Sequence, residues 1–403
     1  MNREKAFDGA PLRVMAIIVV TTGFMAAACV PDRFEGPAPK NRAISDPDET
    51  KRSHAPTNDA PGDRTKQREP APAGPSHKPE KSKESSDRPA SARTATARPS
   101  PFTLSPDVPS RLEVTAERLE GYKTPAEYLM LRSRRFPVNV TAVALPHGYD
   151  KDRGRGYPLV IAFGGAGECA RQPRRGALAW LHYYKSDEAA AALVEGKLGP
   201  DAFRGLAKPS EIKLFNGKLR EYPYRGVILA CPYSPPIRAV DGIENPDYEA
   251  FIMEELLPAL EERYRPAPGK VGVDGVSMGG ARAMYYGLKY PTVFRSIGTV
   301  QGAFGPFLDI YRDLIGRNKP VLKKCAIQLV TSDKDNLAPS VERMHQLLKT
   351  EGIGHQYLKL TGPHDYIFNE GPGVVALLTF HNQTLGFEHG LPTRGPRRGK
   401  AER

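Results

Sequence analysis

Cysteine is scarce in this chain, with four residues in 403, and tryptophan scarcer still, with one. Cys29, Cys169, Cys231 and Cys325 have no metal-site spacing, so they point to no metal, and nothing else in the sequence implies an organic cofactor. Long apolar runs are also missing. The longest, "VMAIIVVTTGFMAAAC", has about fifteen residues, short of the roughly 20 that a membrane-spanning helix needs. Residues 31–106 lack aromatics except Phe34 and Phe102, and lack large aliphatics almost entirely. A segment of Pro, Ser, Ala, Lys, Asp and Glu cannot bury enough apolar surface to offset its ordering entropy, so it reads as disordered. The net charge of +12 is spread along that segment and concentrated in the tail "TRGPRRGKAER". Without aromatics beside the cations, this is a solvated end and not a nucleic-acid footprint.

At the N-terminus, Arg3, Lys5 and Arg13 precede the short apolar run, which ends in small residues. That is the anatomy of a secretory signal. Ala26-Ala27-Ala28-Cys29 resembles the lipobox of bacterial lipoproteins. The resemblance implies a cut before Cys29, lipidation of Cys29 and a membrane anchor; Val30 in place of an aspartate implies the outer membrane. The expected organisation is a signal over 1–28, a Pro-rich tether over 29–106, a folded domain over 107–389 and a basic tail over 390–403. Export places the remaining cysteines in an oxidising compartment, where three thiols permit one disulfide.

Between about 109 and 385 the texture changes. Apolar runs of strand length at 139–146, 157–163, 225–231, 270–275, 296–301, 325–332 and 355–360 alternate with amphipathic stretches such as "YEAFIMEELLPALEERY" and "SVERMHQLLKTEG". This alternation predicts an α/β fold with a mostly parallel sheet covered by helices on both faces. Pro258 should kink or split its helix. The long stretch from 169 to 224, with Trp180, Tyr183 and Tyr184, is expected to wall or cap the site.

Gly275-Val276-Ser277-Met278-Gly279 lies between a strand and a helix. It fits a nucleophile elbow, in which the serine takes a strained turn and the flanking glycines avoid collisions. A serine hydroxyl is a weak nucleophile until a base takes its proton. His345 is mid-helix, His355 starts a strand, His381 is in the last helix and His389 is in the tail. His364, in "LTGPHDY", follows a strand's C-terminal end, where parallel sheets build their sites, and is the expected base. The acid that orients it should come from "LVTSDKDNL", with Asp335 favoured and Asp333 the alternative. The oxyanion donors expected are the amide of Met278 and, from "FGGAGE", that of Gly165, with Ala166 next. The same turn is no phosphate loop, since no Lys-Ser or Lys-Thr follows.

"YPLVIAFGG", "MEELLPALEERYR", "GVSMGGARAMYYGLKYPTVF" and "GPHDY" together resemble the esterase branch of the α/β-hydrolases: feruloyl and acetylxylan esterases, S-formylglutathione hydrolases and mycolyltransferases. Phe163, where many relatives have histidine, and the 169–224 stretch depart from that pattern. The resemblance implies an α/β-hydrolase domain in which Cys169 and Cys231 end neighbouring strands and form a disulfide. It also implies a carboxylesterase working through Ser277, His364 and Asp335 on a small-molecule or carbohydrate ester. Transfer of the acyl group to a sugar or lipid alcohol is the alternative chemistry. A cell-envelope binding protein that keeps the fold without catalysis is the alternative from another class. The sequence leaves the acyl group, the alcohol and the oligomeric state open.

Overall fold

Side chains alternate across a strand, and that alternation sorts the interior into two layers. Along Leu159–Phe163 (β4) every residue is buried; Leu159, Ile161 and Phe163 join one apolar cluster, while Val160 and Ala162 join the other. A strand apolar on both faces belongs in the middle of a parallel sheet with helices above and below. The computed structural model describes residues 113–387, apart from 134 and 150–155. The expected signal, Cys29, the tether and the basic tail lie outside the described residues.

Three antiparallel strands, Val114–Leu119 (β1), Ala126–Leu131 (β2) and Val140–Ala144 (β3), form one side of the sheet. After β4 come a one-turn helix, Ala166–Cys169 (α1), and helices Pro173–Ala177 (α2), Ser186–Val194 (α3) and Pro209–Glu221 (α4). Strand Ile228–Pro232 (β5) is followed by Pro246–Ala250 (α5) and Leu257–Tyr264 (α6). The remaining units are Val271–Gly275 (β6), Met278–Lys289 (α7), Phe294–Val300 (β7), Leu308–Leu322 (α8), Ala326–Lys334 (β8), Ala338–Thr350 (α9) and Gln356–Pro363 (β9). The chain closes with Tyr366–Phe368 (α10) and Val374–Leu385 (α11). Among the described residues the sheet has nine strands in the order β1-β2-β3-β5-β4-β6-β7-β8-β9, parallel from β5 to β9.

The first layer packs Phe251, Leu256, Ala281, Tyr311 and Met344, from the chain between α5 and α9, against the sheet. The second packs Trp180, Leu193, Phe215 and Leu219 together with Val374–Leu378 of α11. The 169–224 stretch is mostly a covering layer beside α11, and it backs the glycine turn as a wall: Tyr184 accepts a hydrogen bond from the Gly165 N–H, and Ala179 packs so close that a Cβ on Gly164 would lie 2.7 Å from its own. Trp180 anchors the stretch by donating its indole N–H to the Phe163 carbonyl at 3.0 Å.

At Pro258 the helix changes its winding without breaking. A π-helical turn over Phe251–Leu256 runs straight into α6, with Leu256 and Leu257 both in the right-handed helical region, and this wider turn just before Pro258 accommodates the missing N–H.

Candidate active site

Strand β6 runs directly into helix α7, and Ser277 is the hinge between them. Its backbone has φ 54° and ψ −116°, a conformation that L-residues avoid at a cost of about 1–3 kcal/mol. Three hydrogen bonds hold it there: the Ser277 N–H donates to the Val300 carbonyl at 2.9 Å, and the Ser277 carbonyl accepts from Ala281 at 3.1 Å and Ala303 at 3.0 Å. The flanking glycines are required by space. A Cβ on Gly275 would lie 2.2 Å from the Gly279 oxygen, and one on Gly279 would lie 2.4 Å from the Gly164 oxygen. The turn thus locks β6, α7 and the end of β4 together.

His364 follows β9 directly, and its Nε2 lies 3.2 Å from the Ser277 Oγ. Its Nδ1 lies 2.8 Å from the Asp335 Oδ1. Asp335, just past β8, is itself fixed, with Oδ2 accepting from the Thr331 hydroxyl at 2.7 Å and Oδ1 from the Leu337 N–H at 2.8 Å. The aspartate side chain is 0% exposed and that of the histidine 23%, so the carboxylate is shielded while the imidazole remains reachable. With Nδ1–H donated to a carboxylate, Nε2 is left as the proton acceptor facing the serine. Asp333 sits elsewhere: its Oδ1 accepts from the Gly362 N–H at 3.0 Å, and its Oδ2 is 3.8 Å from the Lys208 Nζ.

The oxyanion expectation divides. Met278 is the first residue of α7, so its N–H has no acceptor within the helix. Gly165 differs from expectation, because its N–H is spent on the Tyr184 hydroxyl at 3.1 Å. Tyr184 is fully buried behind the turn, which pulls that amide inward. Ala166, next along and exposed, opens α1 and also lacks an intrahelical acceptor.

The expected Cys169–Cys231 disulfide is absent, and both residues are free thiols. Cys169 packs in the first layer, with its Sγ 3.9 Å from the Gly164 carbonyl; Cys231 packs in the second, against the backbone of Ala179 and Trp180. The two sulfurs thus face different neighbours. Burial pushes both thiols up to about 12.

Some residues around the site gave no sequence signal. Gln301, 0% exposed and at φ 49°, donates its side-chain amide to the Ser332 Oγ at 2.7 Å and to the Pro363 carbonyl at 2.9 Å, bracing the histidine loop. Glu168 is buried under the glycine turn and accepts from the hydroxyls of Tyr184 and Tyr366. A second histidine–aspartate pair, His381 Nε2 to Asp274 Oδ2 at 3.1 Å, is sealed between β6 and α11, and no reactant can reach it. Burial raises the Asp274 carboxyl above the usual range.

A strained serine between a parallel strand and a helix, with an aspartate and then a histidine arriving from the next strands at the same edge, decides the fold. The chain has an α/β-hydrolase fold. Residues 236–338 match the family model Esterase, described as "putative esterase". That segment contains the elbow and Asp335 and stops short of His364. An uncharacterized protein of Bacillus subtilis is 30% identical over 117 residues, covering 28% of this chain and 46% of that protein, so the chain spans about half the length of this curated relative. Among solved structures, an S-formylglutathione hydrolase from Agrobacterium tumefaciens is similar at 16% identity, over 67% of this chain and 99% of that one, with a TM-score of 0.46. A ferulic acid esterase from Anaeromyces mucronatus is similar at 17% identity, over 70% and 94%, with a TM-score of 0.40.

Proposed function

We propose that this α/β-hydrolase is a serine carboxylesterase that works through an acyl-enzyme. The observation that carries the reading is the continuous chain Ser277 Oγ, His364 Nε2, His364 Nδ1 and Asp335 Oδ1, with separations of 3.2 and 2.8 Å. The Ser277 oxygen attacks the ester carbonyl carbon as His364 Nε2 takes its proton. The imidazolium hands that proton to the departing alkoxide, and the alcohol leaves. Water then gives a proton to Nε2 and attacks the acyl carbon, and the returning proton restores the Ser277 hydroxyl as the carboxylic acid departs. Asp335 stabilises the imidazolium in both halves.

The negative oxygen of each tetrahedral intermediate is held by the amide of Met278 and a second amide from the glycine turn. With the Gly165 N–H engaged by Tyr184, Ala166 supplies that second donor. The enzyme acts at the cell envelope on a lipid anchor attached to Cys29, a reading supported by the sequence alone. Incorporation of labelled palmitate into the wild type, and its loss in Cys29→Ser, tests the anchor.

The reaction is tested by a fluorophosphonate probe and by hydrolysis of 4-nitrophenyl acetate. Labelling at Ser277 and turnover are both expected, and both should vanish in Ser277→Ala. A wild-type protein that is folded and yet unlabelled would leave a binding protein with a hydrolase fold.

A further inference from the structure

Glu168 lies three residues beyond Gly165, in a helix of a single turn, and is 3% exposed. A carboxylate is costly to bury unless its oxygens are hydrogen-bonded, and here each oxygen has a phenol. Oε2 accepts from Tyr184 and Oε1 from Tyr366 at 2.5 Å. Burial raises both phenols, Tyr184 well above its ordinary value and Tyr366 to about 12, so both remain donors at any working pH. The direction of the chain is thereby fixed. The Gly165 N–H donates to the Tyr184 oxygen, and the Tyr184 O–H donates to Glu168.

The two tyrosines come from different sides of the site. Tyr184 sits in the layer behind the glycine turn and holds the Gly165 amide. Tyr366 stands two residues after His364 and starts α10, which Asp365 caps by accepting from the Phe368 N–H at 3.0 Å. Its ring is 6.2 Å from that of Tyr183 and 6.0 Å from that of Tyr184. The approach to the turn is close as well, since a Cβ on Gly167 would lie 3.1 Å from the Tyr366 hydroxyl oxygen. One carboxylate therefore joins the turn that presents the Ala166 amide to the loop that presents the imidazole.

We propose that Glu168 is a positioning residue, coupling the oxyanion turn to the histidine loop through Tyr184 and Tyr366. The inference rests on the esterase reading. Its physical content is that amide and imidazole must both be in register with one tetrahedral carbon, and a misplacement on the order of 1 Å at either can cost about 100-fold in rate. Two separate loops keep such a register best when a short, charge-assisted link runs between them.

The test uses the full chain, 4-nitrophenyl acetate and fluorophosphonate titration of the reactive serine, so that kcat is expressed per labelled Ser277. Glu168→Gln takes the anion away from both phenols and leaves one of them facing an NH2 donor, and kcat should fall about 10- to 100-fold with KM within about two-fold. Tyr366→Phe, at a position 41% exposed, cuts the link at its outer end and should lower kcat about 10-fold with Tm unchanged. The double variant should be no slower than Glu168→Gln, because both changes break one chain. A purely structural glutamate would lower Tm and leave kcat per labelled serine at the wild-type value. That result, or full additivity, overturns the proposal. If the wild type is unlabelled at Ser277, the esterase reading has failed instead, and the inference falls with it.

Discussion

The carboxylate of Asp335 faces the Nδ1 of His364 at 2.8 Å, while that of Asp333, two residues earlier, faces the Gly362 amide and Lys208. Neighbours in sequence thus have unlike tasks. Asp335→Asn should reduce kcat by about 10³- to 10⁴-fold, since the amide stabilises neither the imidazolium nor its tautomer. Asp333→Asn should leave kcat unchanged. Steady-state kinetics on the two purified variants checks both, and a larger loss at Asp333 would exchange the assignments.

Ala166→Pro removes an amide proton at a position where helices accept proline. Gly165 before it is already extended, at φ −74° and ψ −175°, as a residue preceding proline must be. Turnover should drop about 10²- to 10³-fold with the melting temperature held. Full activity in this variant would return the second donor to Gly165.

Titration with Ellman's reagent, without reductant, should find Cys169, Cys231 and Cys325 unreactive in the native protein through pH 9. Burial holds the first two near 12 and raises the third. All three should react once the chain is unfolded in guanidinium. Fewer than three would mean that a bridge had formed after all.

His355 predicts a pH dependence of stability away from the site. Its Nδ1–H donates to the Ile353 carbonyl at 2.8 Å, which leaves Nε2 to accept from the His345 Nδ1–H at 2.7 Å. Burial lowers the His355 pKa below its ordinary 6.5, so the unfolded chain binds a proton that the folded chain resists. Stability from this group is complete above about pH 6.5 and is lost as pH falls from there toward the folded value. Urea midpoints should therefore decline between pH 7 and pH 5, and decline less in His355→Gln.

Much of the fold was legible because buried parallel strands are apolar on both faces. The seven strand segments from 139 onward lie at or within a few residues of their expected limits. β1 was not legible: in "VTAERL" the pattern is polar and largely exposed, and pairing with β2 is what makes it a strand. At the site, glycine spacing and strand ends pointed to Ser277 and to His364. The glycine turn resisted, because the fate of the Gly165 amide depends on Tyr184, 19 residues away across the second layer. Gln301 and Glu168 resisted for a related reason, since a buried polar side chain has no periodicity to announce its partners. The absent disulfide shows the limit of strand-end reasoning: Cys231 lies within β5, but Cys169 ends helix α1, six residues past the end of β4, and packs in the other apolar cluster.

The unusual backbone of Ser277 is gripped from outside its own helix by the Val300 carbonyl and the Ala303 amide. If heating loosens the end of β7 before the rest of the sheet, the serine will relax to an ordinary conformation and carry its oxygen away from His364. Catalytic power should then fade several degrees before ellipticity does, which makes the enzyme's own reactivity an early gauge of wear in its central strands.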